Sequence, residues 1–143
     1  MRKYVVFCVV LLLALVTGCS KKESAEKEYT NTFKGESNHW TATYQVEGNG
    51  NLFKRQEGTK GKSKRHFILT YKGDVSELSN LKTLEYSYLS SESKGHETLT
   101  FDKPVTEKEF TLDKAKDGEM ESSDETVSVK VKWDGKEEEL SLK

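Results

Sequence analysis

The sequence predicts an all-β domain: an antiparallel, immunoglobulin-like β-sandwich of about 7–8 strands behind an N-terminal signal peptide and a flexible tether. Three observations carry this expectation. From Phe33 onward, apolar residues recur at every second position in short runs, the spacing of strands with one buried face. Turn residues punctuate the runs, most clearly Gly48-Asn49-Gly50-Asn51 and Asp134-Gly135. No segment after the leader holds a helical period beyond a single turn. A small open barrel built from the same strands is the alternative.

The first element is the leader, MRKYVVFCVVLLLALVTGC. Arg2 and Lys3 open it, an uncharged run from Tyr4 to Val16 follows, and the small residues Thr17 and Gly18 precede Cys19. This is the layout of an export signal with its cleavage site. A membrane-spanning helix needs roughly 20 apolar residues, and this run stops short of that before the polar Ser20-Lys21-Lys22-Glu23. The closing Val16-Thr17-Gly18-Cys19 resembles the lipobox of bacterial lipoproteins. That resemblance implies cleavage between Gly18 and Cys19, with the Cys19 thiol carrying diacylglycerol as the membrane anchor.

Residues 1–18 are thus expected to be removed, 19–32 to form the lipidated cysteine and tether, and 33–143 to form the sandwich. The tether SKKESAEKEYTN is charged and has one large apolar side chain, Tyr29, too little to offset its ordering entropy. Losing Arg2 and Lys3 leaves 21 of the 23 basic residues against 24 acidic ones, a net charge of −3. Only 34% of the chain is hydrophobic, so the apolar side chains must be spent on the inner faces of thin layers. With Cys8 in the leader and Cys19 lipidated, the mature domain has no disulfide and no thiolate for catalysis or zinc.

In Ser37–Glu47 the residues Trp40, Ala42, Tyr44 and Val46 alternate with polar neighbours, giving the first strand. Residues 52–57 form a weaker second one, and 59–63 a turn. A third strand follows from Arg65 to Tyr71, with Phe67, Leu69 and Tyr71 on one face, so the domain opens on a three-stranded meander. Val75, Leu78 and Leu81 are spaced for one helical turn. Strands are then expected over Thr83–Leu89, His96–Phe101 and Glu107–Leu112, with Pro104 in a connection where its missing N–H does no harm. The last two, Thr126–Trp133 and Lys136–Leu142, flank Asp134-Gly135, a type I′ hairpin signal. That turn sets Val127 against Leu142, Val129 against Leu140 and Val131 against Glu138 on one face. Lys130 then meets Glu139, and Lys132 meets Glu137, on the other.

Little in the chain points to catalysis. His39, His66 and His96 share no metal-binding spacing, and no G-x-S-x-G or S-x-x-K stands where a nucleophile would. No catalytic or metal-ligating residue is therefore assigned, and no cofactor is expected. Asp113, Asp117, Gly118 and Asp124 imitate a calcium loop, but Ala115 stands where an oxygen ligand is needed. The cluster Asp117, Glu119, Glu121, Asp124 and Glu125 reads as a solvated acidic loop. The aromatic residues Trp40, Tyr44, Phe67, Tyr71, Tyr86, Tyr88, Phe101 and Trp133 are expected in the core rather than on a sugar-stacking platform. Lys54, Arg55, Lys60, Lys62, Lys64 and Arg65 against the lone Glu57 give a local charge of +5 over twelve residues. Outside a membrane such a segment meets teichoic acid or anionic lipid rather than nucleic acid.

The lipobox, the charged tether, the Asn38-His39-Trp40 strand start and the closing Val-Lys-Trp-Asp-Gly-Lys-Glu-Glu-Glu-Leu hairpin together resemble small surface lipoproteins of Gram-positive bacteria. The resemblance implies a lipid-anchored protein on the extracytoplasmic face of the cell membrane. Its only functional position is Cys19. The expectation is a non-catalytic binding module with a cell-envelope polymer or protein as partner. The alternative is an envelope component that binds polyanions or divalent cations through its charged loops.

Overall fold

The structure is a computed structural model that describes residues 28–49, 62–117 and 119–143. Eight strands appear in it: β1 (Glu28–Glu36), β2 (Trp40–Asn49), β3 (Lys62–Tyr71), β4 (Thr83–Leu89), β5 (Lys94–Thr100), β6 (Glu109–Asp117), β7 (Val127–Trp133) and β8 (Lys136–Leu142). They form two antiparallel four-stranded sheets, ordered β1-β2-β3-β6 and β5-β4-β7-β8, called sheet I and sheet II below. The two inner faces share one buried cluster, so the architecture is the expected β-sandwich and not a closed barrel. The outline is immunoglobulin-like, but with the β1–β2–β3 meander kept within one sheet.

Inward positions alternate as a half-buried sheet requires. Strand β7 runs buried–exposed throughout, with Val127, Val129, Val131 and Trp133 inside. The β7–β8 register pairs Val127 with Leu142, Val129 with Leu140, Lys130 with Glu139 and Lys132 with Glu137, as the turn dictated. Asp134 and Gly135 take the positive φ values, 45° and 78°, that a type I′ turn needs. On the outer face Lys130 and Lys132 bridge Glu139, Glu137 and Glu85 at 3.1–3.7 Å. The expected helical turn is a short 3₁₀ segment, Val75–Leu78, started by an Asp74 capping box with Glu77. Leu78 and Leu81 are buried beneath it.

The aromatic residues fill the space between the sheets. Tyr44 and Tyr88 meet across it at 4.7 Å, Phe67 and Tyr88 at 5.4 Å, and Trp40 and Trp133 edge-on at 5.4 Å. Seven of the eight expected core rings are buried, and Phe101 is half-buried against them. At Gly95 any Cβ would fall 2.2 Å from the Tyr88 ring, so β5 passes over that tyrosine only because residue 95 has no side chain. Along one lateral side, reciprocal backbone bonds between Lys34 and Lys143, at 2.9 and 3.0 Å, stitch β1 to the end of β8.

Three expected boundaries are corrected. Residues 28–32, read as tether, are the first half of β1 and pair with β2 from Glu28–Asn49 onward. A full backbone ladder holds them, and Asn31 Nδ2 donates to the Glu121 carbonyl at 2.9 Å, so few apolar side chains are needed. Strand β3 begins at Lys62, inside the expected turn, and β6 runs on to Asp117 through part of the expected acidic loop. Both extensions follow from the β3–β6 pairing, which continues from Thr70–Glu109 to Lys62–Asp117. The weak strand expected at 52–57 lies outside the described residues.

Candidate functional site

The strand directions give the sandwich two ends. The proximal end holds the start of β1, the bases of β2 and β3, the β4–β5 turn and the β6–β7 connection. The distal end holds the β1–β2, β3–β4, β5–β6 and β7–β8 connections.

At the proximal end, Arg65 and Glu121 form an ion pair with both side chains wholly buried. Arg65 Nε donates to Glu121 Oε1 at 2.9 Å and Nη2 to Oε2 at 3.1 Å, a bidentate fork. Its remaining donors reach Ser63 Oγ at 2.7 Å and the Glu119 carbonyl at 3.1 Å. Tyr44 Oη donates to Glu121 Oε1 at 2.6 Å, and Ser90 Oγ lies 2.7 Å from the same oxygen. Strands β2 and β3 and both neighbouring connections therefore converge on one carboxylate. Burial pushes the Glu121 carboxyl upward, but the hydrogen bonds from Arg65, Ser90 and Tyr44 outweigh it and hold the group below the usual carboxylate range. Burial, then the bond to Glu121, drives the Tyr44 hydroxyl well above its ordinary value. For Arg65, burial works against the charge, and Glu121 more than compensates.

This arrangement corrects two expectations. Arg65 is not a polyanion-binding residue, because it lies in phase with Phe67, Leu69 and Tyr71 on the buried face of β3. The acidic segment is not uniformly solvated either: Glu121 is the counter-ion that Arg65 requires, while Glu125 accepts from Ser91 Oγ at 2.8 Å. Of the other expected polyanion residues, Lys62 and Lys64 are exposed on the outer face of β3, opposite Asp117 and Glu47 on the neighbouring strands. Lys54, Arg55 and Lys60 lie outside the described residues, as do Gly18 and Cys19.

A second ionic group lies at the distal end. Glu138 sits opposite Val131 on the inward side of β8, with 15% of its side chain exposed. Its carboxylate pairs with His39 Nδ1 and accepts from Ser37 Oγ and from the His39 amide, the last at 3.0 Å. Burial raises this carboxyl, and the bonds from Ser37 and His39 bring it below its ordinary value. The His39 ring stacks near Tyr71 and tilts against Trp133 at 5.7 Å. Ser37 and His39 are thus both bound to the Glu138 carboxylate.

The remaining histidines stand apart. His66 pairs with Asp113 across β3 and β6 on the outer face of sheet I, and both line a groove of about 490 Å³ together with Gln45, Lys64 and Ala115. His96 is on β5, with Nε2 3.1 Å from Thr98 Oγ1. Among the described residues no group of three potential metal ligands comes together. Comparison of the chain with protein-family models, curated proteins and solved structures finds no match.

The period-two pattern contained enough to bury Arg65, since it shares its parity with Phe67. Nothing in the sequence marks Glu121 as its partner 56 residues away. Glu138 was placed on the inner face by the hairpin register, but its bond to His39 depends on how sheet I packs on sheet II.

Proposed function

We propose that the chain is a lipid-anchored, extracytoplasmic binding module and not an enzyme. The observation that carries this reading is the Val16-Thr17-Gly18-Cys19 lipobox closing an uncharged leader run. The use made of the ionisable groups supports it: Arg65, Glu121 and Glu138 are committed to holding connections onto the sandwich, and the three histidines lie on separate elements. A rigid scaffold with connections gathered at two ends suits recognition by surface.

The test is the intact mass of the chain extracted from membranes. The expected mass is that of residues 19–143 with diacylglycerol on Cys19; an unmodified thiol, or retention of Met1–Gly18, overturns the anchor. A thermal-shift series on the mature chain then addresses the ligand, with teichoic acid fragments, muropeptides and Ca²⁺ as probes. A second reading, a polyanion-binding envelope component, draws on the exposed Lys62 and Lys64. The cation version draws less, because Glu121 and Glu125 of the acidic segment already have partners.

A further inference from the structure

We infer that the proximal end of the sandwich docks on the anionic headgroups of the membrane that anchors the chain. This rests on the lipid-anchor reading. Its first ground is the length of chain outside the described strands. Eight residues separate Cys19 from Glu28, and the nine Cα–Cα steps between them span at most about 32 Å. The start of β1 is therefore held within that distance of the bilayer surface. Because Glu28 pairs with Asn49 and Lys62 pairs with Asp117, the bases of β2 and β3 are held there with it.

The second ground is the side chains found there. The described residues contain two exposed large hydrophobic side chains, Tyr29 at 37% and Leu89 at 59%, and both lie at the proximal end. Leu89 stands opposite Lys94, which is exposed. Lys62 and Lys64 stand on the neighbouring sheet, likewise exposed, opposite Asp117 and Glu47 in the strand register. Apolar side chains flanked by lysines match the boundary between acyl chains and anionic headgroups. A soluble polymer such as teichoic acid would use the lysines and leave Leu89 in water. Glu28, Glu47, Glu92, Asp117, Glu119, Asp124 and Glu125 lie at the same end, so the attraction is local to these lysines, opposed by their acidic neighbours and sensitive to salt.

The consequence is a fixed polarity. The distal end, with the His39–Glu138 group and the Asp134-Gly135 turn, faces away from the bilayer and is the end a partner meets.

The experiment uses the mature lipoprotein, whose only cysteine is occupied by lipid. Single cysteines are introduced at exposed Thr30, at the proximal end, and at exposed Asn38, at the distal end, and each carries a fluorophore. The protein is reconstituted into phosphatidylcholine vesicles with or without phosphatidylglycerol, together with a headgroup-labelled quencher lipid. The expected result is quenching at residue 30 but not 38, only with phosphatidylglycerol, and lost at high salt. In a companion measurement the mature chain with Cys19→Ser is spun down with phosphatidylglycerol vesicles. Lys62→Ala/Lys64→Ala should weaken its partition roughly thirtyfold, at about 1 kcal/mol per lysine. Leu89→Ser, at a site exposed in the fold, should weaken it further.

Equal quenching at the two positions, or no dependence on phosphatidylglycerol, overturns the inference. So does release of the quenching by soluble polyglycerol phosphate with Leu89→Ser inert, which moves the partner from lipid to polymer. The mass of Cys19 decides the anchor independently of these results.

Discussion

At the distal end of the sandwich Trp40, Tyr71, Phe110 and Trp133 meet ring against ring, with Trp40 5.1 Å from Tyr71 and 5.4 Å from Trp133. At the proximal end Arg65 and Glu121 meet charge against charge with neither side chain exposed. Both solutions close a gap between two sheets, but they depend on different things. An aromatic cluster is held by area and shape, so its members contribute separately. A buried ion pair is held by completeness: each charge is tolerable only while every partner stays in place.

The sharpest way to break this comparison is to remove one charge. Glu121→Ala leaves the Arg65 guanidinium buried without a counter-ion and should cost about 3–5 kcal/mol, read from urea denaturation of the mature chain. Removing both charges together, in Arg65→Met/Glu121→Leu, should recover most of that loss, because the uncompensated charge goes with it. If the single substitution costs no more than a surface change, the proximal end is not closed by the ion pair.

A gentler pair sharpens it. Tyr44→Phe deletes a hydroxyl that donates to an ionised carboxylate at 2.6 Å, and should cost about 1.5–3 kcal/mol. Trp40→Phe is the distal counterpart. The Trp40 Nε1 atom is buried and finds no partner among the described residues, so no hydrogen bond is lost. What remains is lost volume, about 1–2 kcal/mol. At the distal end Trp40→Leu should lie close to Trp40→Phe, whereas at the proximal end the loss should follow the hydroxyl and not the ring. A Trp40→Phe cost above that of Tyr44→Phe would reverse the assignment of the two ends.

The same contrast explains what could be read from the chain before the fold was known. Strand existence, the core rings and the β7–β8 register were legible because each depends on neighbours in sequence: alternation along one strand, or a two-residue turn. The start of β1 was not, since Glu28-Tyr29-Thr30-Asn31-Thr32 has the composition of a linker and becomes a strand only by pairing with Glu47, Gly48 and their neighbours. The continuation of β6 through Asp113 and Lys116 was hidden for the same reason, its charges lying on an exposed sheet edge. At the candidate site, Arg65 was counted by its charge when its parity with Phe67 already placed it inside. The Arg65–Glu121 and His39–Glu138 contacts join segments 56 and 99 residues apart and follow from how the sheets stack. Local pattern cannot encode that.

Acid should weaken both ends, by a smaller margin than these substitutions. Glu121 and Glu138 are both held below the ordinary carboxylate range, by Arg65 with Ser90 and Tyr44 in the first case and by Ser37 and His39 in the second, each against the opposing effect of burial. A carboxyl whose folded pKa lies below its unfolded value, about 4.3 for glutamate, binds fewer protons in the native state than in the unfolded chain. Stability therefore rises with pH through that interval. The contribution is fully present above the unfolded value and is lost as pH falls through the folded one. Unfolding free energy measured from neutral pH downward should accordingly drop below about pH 5 in the parent protein. Glu121→Gln should start lower and fall less steeply, because its proximal carboxyl no longer takes up a proton on unfolding. Glu138→Gln should flatten the curve as well, because its carboxylate is likewise held below its ordinary value by Ser37 and His39. A curve as steep in Glu121→Gln as in the parent would mean that the proximal carboxyl is not held below its unfolded value by its partners.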